Sequence, residues 1–382
     1  MSSVVGYYTT QFGELWEKSL FDLVKEAIHG VLHNTSLDIQ NVDAIFFGNM
    51  MAGVLEDNLH TSAKIAELMG IHMPIFRVES ACASGGIAFH LANNYINSGT
   101  AKTVMVLGAE KMNDFSPEEV TSALATAASG EEQEAGLTFP GLYAMLAQVY
   151  MSNYKAKEED LASVSFKNHV HGSLNEKAQY RKPMTMEQIL RSAYIAYPLK
   201  MFDCSPISDG ASAVILSTDE ALIKKHKSAT VLASEVASDS ISLAGRKRLD
   251  ELAATKIAGE KAFQTAKLKR NDITVAELHD CFSIAEILAM EDLGFWKKGE
   301  GAKRMRALET MYDKGGPLIT NTSGGLKAAG HPVGATGIKQ IGEIFLQLTQ
   351  QATNRQVKNA TYGLTQNVGG SGGTAAVTIL GV

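Results

Sequence analysis

Cys82 lies in Ser80-Ala81-Cys82-Ala83-Ser84-Gly85-Gly86, where an extended segment gives way to an apolar helix, a placement that turns a thiol into a nucleophile. Upstream, Pro74-Ile75-Phe76-Arg77-Val78 is short and apolar; downstream, Ile87, Leu91 and Tyr95 recur at helical spacing, so Cys82 falls at a strand-to-helix turn. Unpaired N–H groups of the first turn and the positive end of the helix dipole would favour thiolate over thiol there. A cysteine met in isolation is more often an inert buried thiol. Three further segments argue for the reactive reading.

The first is Gly330-His331-Pro332-Val333-Gly334-Ala335-Thr336-Gly337, followed by Ile338, Ile341, Phe345 and Leu348 on one helical face. Glycines let a ligand come close, and Pro332 opens a helix without wasting an N–H, so His331 stands at a helix entrance as Cys82 does. An imidazole there takes a thiol proton or polarises a thioester carbonyl. The second is His279-Asp280-Cys281-Phe282, at the end of an expected strand, where α/β folds carry active groups. An extended backbone would point His279 and Cys281 the same way. The third, Asn367-Val368-Gly369-Gly370-Ser371-Gly372-Gly373, is a glycine-rich turn whose N–H groups suit an oxyanion hole; it has neither the Gly-x-Gly-x-x-Gly nor the Walker pattern of a phosphate loop. No cluster has the closely spaced ligands of a structural zinc site, so no metal is expected.

The elements that must position these groups occur twice. A helix over Leu20 to Leu32 leads through Asp38-Ile39 to the strand-like Ala44 to Phe47, then Pro74 to Val78, the Cys82 turn, a helix, and the strand Thr103 to Leu107. A helix near Gly259 to Ala266 leads through Asp272-Ile273 to Val275 to Leu278, then Pro317 to Thr320, the His331 turn, a helix, and the strand Ala375 to Leu380. The spacing of roughly 240 residues is that of a duplicated domain, far beyond a solenoid period. Each half alternates strands and helices, the pattern of a mostly parallel sheet covered on both faces.

The expected division is 1–112 for the first half, 113–206 for an inserted loop domain, 207–230 for a strand and helix returning to the first half, and 231–382 for the second half. An insertion over the mouth of a sheet commonly builds substrate walls. Its stripe of Tyr143, Met145, Leu146, Val149, Tyr150 and Met151 reads first as a packing face, with an acyl pocket as the alternative. Met145, Gly330 and Asn367 are the candidate substrate contacts. Arg246-Lys247-Arg248 reads as a solvated face, with the phosphates of a ligand as its alternative, and Cys204 reads as structural.

Composition narrows the function. The chain has 382 residues, 45% hydrophobic and 20% charged, with 35 basic against 41 acidic residues and a net charge of -6. No long like-charge run suggests nucleic acid or an anionic membrane. Three separated cysteines fit free thiols in a reducing compartment. Met1 to Val5 lacks a signal pattern, no apolar run reaches the roughly 20 residues of a membrane span, and Leu380-Gly381-Val382 is no peroxisomal address, so a cytosolic protein is expected.

The four motifs, in this order along essentially the whole chain, resemble those of the thiolases. The resemblance implies a five-layered α/β/α/β/α fold from two similar halves, with an inserted loop domain that helps bind coenzyme A. It implies CoA thioesters as substrates with no cofactor, dimers or tetramers, and acylation of Cys82. Common thiolases carry Asn-Glu-Ala-Phe in place of 279–282 and a Cys-x-Gly in place of Asn367-Val368-Gly369. The chain is thus similar to sterol-carrier-type and archaeal-type members, whose acid/base is the cysteine of the His-Asp-Cys-Phe loop, here Cys281. Archaeal-type members can work beside a synthase and a small zinc-ribbon protein, which become candidate partners.

On this reading His331 activates Cys82, Cys281 takes the α-proton of a second acetyl-CoA, and the oxyanion is met by the N–H groups of Cys82 and Gly369 together with His331 and a group held at His279. Two alternatives stand beside it. A decarboxylating ketosynthase shares the fold but needs no base such as Cys281; a catalytically silent subunit would scaffold a partner.

Overall fold

The computed structural model describes all 382 residues. Its strands are β1 (Ser3–Thr9), β2 (Ala44–Gly48), β3 (Ile75–Val78), β4 (Thr103–Glu110), β5 (Tyr194–Ala196), β6 (Leu199–Lys200), β7 (Gly210–Ser217), β8 (Ala229–Ser238), β9 (Val275–Glu277), β10 (Ile319–Thr320), β11 (Tyr362–Gly369) and β12 (Thr374–Gly381). All but the β5–β6 hairpin join one ladder in the order β10-β9-β11-β12-β8-β1-β7-β4-β2-β3. Read inward from its two ends, the ladder follows one plan twice: β3-β2-β4-β7-β1 in the first half and β10-β9-β11-β12-β8 in the second. The halves meet where β1 pairs antiparallel with β8, Ser3 opposite Thr230 and Val4 opposite Ala229.

The sheets are mixed where a mostly parallel arrangement was expected. β2, β3 and β4 run parallel, as do β9, β10 and β11, but β7 and β12 run against their neighbours. For β12 the reason is connection length. β11 reaches β12 through the tight glycine turn at 370–373, and a hairpin leaves no room for the crossover that parallel pairing needs.

Five layers follow from which face each helix buries. The helix Leu20–Thr35 covers β1, β4 and β7 with Leu23, Val24, Ile28 and Val31, and Ser19 and Asp22 close its start as a capping box. Ala253–Ala266 covers β8 and β12 in the same way. Between the two sheets lie Ser84–Asn97 and Val333–Leu348, which pack on each other and on strands of both halves. A helix enclosed by two sheets has no solvent face, and within Val333–Leu348 only Leu346 is not buried. Its polar residues are therefore partnered inside the protein: Lys339 with Glu277, Gln340 with the Gln366 carbonyl, and Glu343 with Arg355.

The segment 113–206 leans on the second half. Its helices Phe139–Tyr154 and Glu158–Gly172 rest against Ser283–Asp292, joined by Tyr150 to Glu291 at 2.6 Å and by the buried Lys167–Glu286 pair at 2.5 Å. No helix is long and apolar enough to cross a membrane.

The two central helices begin side by side, and only glycine allows it. A Cβ on Gly85 would stand 2.7 Å from the Gly334 carbonyl oxygen, one on Gly337 2.3 Å from the Gly86 nitrogen, and one on Gly108 of β4 2.2 Å from the Gly334 oxygen. In each case the nearest obstructing atom is backbone, which does not yield by a rotamer change. Gly108→Ala is expected to lower stability by about 1–3 kcal/mol, as overpacking of a filled core does. Gly130→Ala, with nothing within 4 Å of its Cβ, is expected to be near neutral. Urea unfolding of the two variants checks the contrast.

Candidate active site

Four loops converge where the central helices begin. The first is the turn before Ser84–Asn97. Ala81 adopts φ +48°, a left-handed conformation that costs a non-glycine residue about 1–3 kcal/mol and bends the chain sharply just before Cys82. Ser84 holds the bend: its hydroxyl accepts the Ser80 N–H at 2.9 Å and donates to the Ala81 carbonyl at 2.6 Å. The second loop carries His331, whose N–H donates to the Ser208 hydroxyl at 2.9 Å. Just beyond it, the Gly334 N–H donates to the buried Glu110 carboxyl at 2.9 Å, which also collects the N–H groups of Met50 and Met51.

The third loop, 279–282, is fixed from both sides. The His279 N–H donates to Gln366 at 2.9 Å, and the Asp280 carboxyl accepts the Leu326 N–H and the Asn168 amide, each at 2.6 Å. The fourth is the turn after β11. Gly369 abuts the Ser80 carbonyl, which a Cβ would meet at 2.7 Å, while the neighbouring Gly370 turns its N–H toward the Cys82 sulfur. Arg246 grips this turn through the Ser371 carbonyl at 2.8 Å and the Ser371 hydroxyl at 2.9 Å. Its side chain is buried, so it belongs to neither the solvated face nor the phosphate contact weighed from sequence.

Three reactive atoms meet. The Cys82 sulfur and one nitrogen each of His279 and His331 lie within 4.8 Å of one another, and the two imidazole rings sit edge to face with centroids 5.1 Å apart. Both Nε2 atoms are buried and meet no partner within the protein. On the far side of each ring, Nδ1 is occupied: that of His331 lies 2.7 Å from the Thr336 hydroxyl and that of His279 lies 3.1 Å from the Asn367 amide nitrogen. Cys82, Cys281 and His331 share the wall of one cavity of about 150 Å³.

Sequence reasoning assigned the other walls differently. Met145, Gly330 and Asn367 do not line this cavity. Met145 packs partly buried against the second-half core, Gly330 faces Gln179, Ser208 and Phe12, and Asn367 stands behind Cys82 and His279. The helix of the apolar stripe contributes Phe139, Pro140 and Tyr143 instead. Tyr143 stacks on Phe282 with centroids 4.6 Å apart and donates to the Gly370 carbonyl at 3.1 Å. Cys204 also lines the cavity, so all three thiols open onto one space.

Burial decides the charge state. It pushes the Cys82 thiol up to about 12, against the pull of the Gly370 and Cys82 N–H groups, and it pushes the Cys281 thiol up as well. Burial and the charge of Lys339 hold His331 down to about 3, and burial with neighbouring His331 holds His279 well below the usual range. The thiolate expected at a helix start is therefore not the resting form. Desolvation outweighs the helix dipole, and at pH 7 the site holds neutral thiols beside neutral imidazoles.

The N-terminal domain model of the thiolases matches residues 2–220, and a thiolase C-terminal-domain-like model matches residues 235–382. The chain is 45% identical over 380 residues to an acetyl-CoA acetyltransferase of Methanothermobacter thermautotrophicus, covering 99% of this chain and 98% of that one. It is 44% identical to one from Methanocaldococcus jannaschii with the same coverage, and 32% identical to human sterol carrier protein 2, covering 98% of this chain and 71% of that one. A solved structure of an Ltp2-ChsH2(DUF35) aldolase superposes with a TM-score of 0.85 at 23% identity, covering all of this chain and 97% of its own.

A thiol pushed up to about 12 has a thiolate fraction on the order of 10⁻⁵ at pH 7. Alkylation of Cys82 by iodoacetamide is expected to quicken about tenfold per pH unit from pH 7 to 10, with no inflection near pH 6–7, because neither imidazole titrates there. Site-resolved mass spectrometry reads the rate; a plateau already at pH 8 would contradict the neutral resting pair.

Proposed function

The chain belongs to the thiolase family and is an acyltransferase; from that premise we propose that it joins an acyl-CoA to acetyl-CoA by Claisen condensation, reversibly, through an S-acyl intermediate on Cys82. The observation that carries this is the meeting of one thiol and two unpartnered imidazole nitrogens within 4.8 Å, with a second thiol on the same cavity wall.

As Cys82 attacks the thioester carbon, its proton passes to Nε2 of His331, so no free buried thiolate has to form first. The carbonyl oxygen gains negative charge beside the backbone N–H groups of Cys82 and of the 369–370 turn. The departing CoA thiolate takes the Cys281 proton and leaves with it. The buried pair then holds a Cys281 thiolate and a His331 imidazolium, opposite charges that stabilise each other at low dielectric. Cys281 removes an α-proton from the second acetyl-CoA, whose enolate oxygen lies between Nε2–H of His279 and Nε2–H of His331. The carbanion attacks the acyl carbon, and the Cys82 sulfur leaves with the His331 proton. Protons and bonds balance, and thiolysis runs the same steps backwards.

The cavity of about 150 Å³, walled by Phe139, Tyr143 and Phe282, has room for the acetyl or acetoacetyl head of a thioester beside Cys82. CoA thioesters are the substrates, and no cofactor is called on. The sequence patterns support a cytosolic site, the thiolase resemblance a homodimer or homotetramer, and its archaeal-type form a synthase and a zinc-ribbon protein as partners; size-exclusion chromatography of the purified chain tests the assembly state. Cys281 speaks against a decarboxylating ketosynthase, which makes its carbanion without a base, and the complete site speaks against a silent subunit.

Mixing the protein with acetoacetyl-CoA and CoA is expected to consume the enolate absorbance and to leave a transient acetyl mass on Cys82. Cys82→Ala is expected to abolish both, lowering turnover by a factor on the order of 10⁴ or more. Cys281→Ala is expected to form the adduct from acetyl-CoA more slowly, because CoA then leaves without the Cys281 proton, and to lose condensation altogether; equal loss of both signals would sink this division of labour.

A further inference from the structure

The two imidazoles look alike, but the hydrogen bonds behind them differ in kind. A backbone N–H can only donate, so the Asn367 atom that receives the Gly86 N–H at 3.0 Å is the amide oxygen. The amide nitrogen therefore sits on the other side, where it donates to the Cys82 carbonyl at 3.0 Å and faces Nδ1 of His279 at 3.1 Å. The Cys82 carbonyl can only accept, so the two contacts agree on the orientation. An amide NH2 has no lone pair to offer, and Nδ1 of His279 must accept its second proton. The ring proton of neutral His279 is then on Nε2, the buried atom that meets no partner.

His331 is arranged the other way. The Thr336 hydroxyl donates to the Pro332 carbonyl at 2.9 Å and has no second proton, so at 2.7 Å it accepts from Nδ1–H of His331 and leaves Nε2 bare. We propose that Asn367 is a positioning residue whose amide holds His279 in the Nε2–H tautomer, so that His279 donates a hydrogen bond to the reacting oxygen while His331, in the opposite tautomer, accepts the thiol proton. This rests on the condensation reading given above. It also supplies a role for the asparagine that stands where common thiolases carry a cysteine: the loop no longer provides an acid or base and instead sets the protonation pattern of its neighbour.

One consequence separates this role from simple support of the Cys82 loop. Cys82, His279 and His331 have the spacing of a three-ligand metal site, but a nitrogen that carries a proton cannot ligate. Asn367→Asp replaces a donor by an acceptor of the same shape. The carboxylate would take Nδ1–H of His279 and bare Nε2, the arrangement by which carboxylate–histidine pairs bind zinc. The variant is expected to bind Zn²⁺ at least tenfold more tightly than the natural protein in chelator competition, to lose that gain in Asn367→Asp/Cys82→Ala, and to turn over about 10²–10³-fold more slowly because one oxyanion donor is gone. Equal Zn²⁺ affinity in a folded variant overturns the proposal. Neutron diffraction from deuterated natural protein reads the same point without any substitution: deuterium on Nε2 of His279 supports it, and deuterium on Nδ1 overturns it. Absence of thiolysis by the natural protein would instead overturn the condensation reading, leaving the tautomer measurement intact.

Discussion

The structure depends on backbone meeting backbone at the start of two helices. Gly85 on one and Gly337 on the other lie so close to the facing helix that a single methyl would fall 2.3–2.7 Å from one of its main-chain atoms. That approach sets how far Cys82 is from His331, because each residue sits just before the first turn of its helix. The two five-stranded sheets hold the helices from above and below, and β1 paired to β8 keeps the sheets in register. The duplication thus has a physical purpose: two equivalent strand–turn–helix units, brought together around one contact, present their turns to the same point.

Enclosure has an electrostatic result. A site lined by thiols and imidazoles and set deep among apolar side chains stabilises neutral groups over charged ones, so the resting cysteine keeps its proton and the histidines keep theirs on one nitrogen each. Charge appears only as bonds change, and it appears in compensating pairs. In the proposed reaction the protein's fixed dipoles stand where charge would develop: the N–H groups near Cys82 and Gly370 for one oxygen, and an imidazole N–H for the other. Fixed donors need not reorganise during the reaction, which makes the second ring of supports, Glu110, Asp280, Thr336, Asn367 and Arg246, as consequential as the groups that touch substrate.

The insertion supplies what the duplicated halves lack. Neither half alone has a wall opposite Cys82, and the helix Phe139–Tyr154 provides it by laying Tyr143 across Phe282. Because that helix is anchored to the second half through Tyr150 and Glu291, the wall is carried by the same body as His279 and Cys281. Pocket size and the position of the second thiol are thereby linked.

Sequence by itself was enough for the repeat, the strand–turn–helix placement of Cys82, the helix entrance at His331 and the His279–Cys281 pair, because each is a local pattern: hydrophobic period, glycine, proline and a polar residue at a fixed offset. It also marked the glycine-rich turn after β11 as a source of backbone donors. It erred where the answer depends on partners distant in the chain. The tight return at 370–373 made the second half's sheet mixed; the stripe on the insertion turned Tyr143 toward the cavity and Met145 against the core; Arg246 went to the turn beside Ser371; Cys204 joined the other two thiols. The charge state of Cys82 was likewise out of reach, since a helix start is visible in sequence and the depth of burial is not. Protonation and pocket shape are sums over neighbours contributed by every part of the chain, and only the tertiary structure brings those neighbours together.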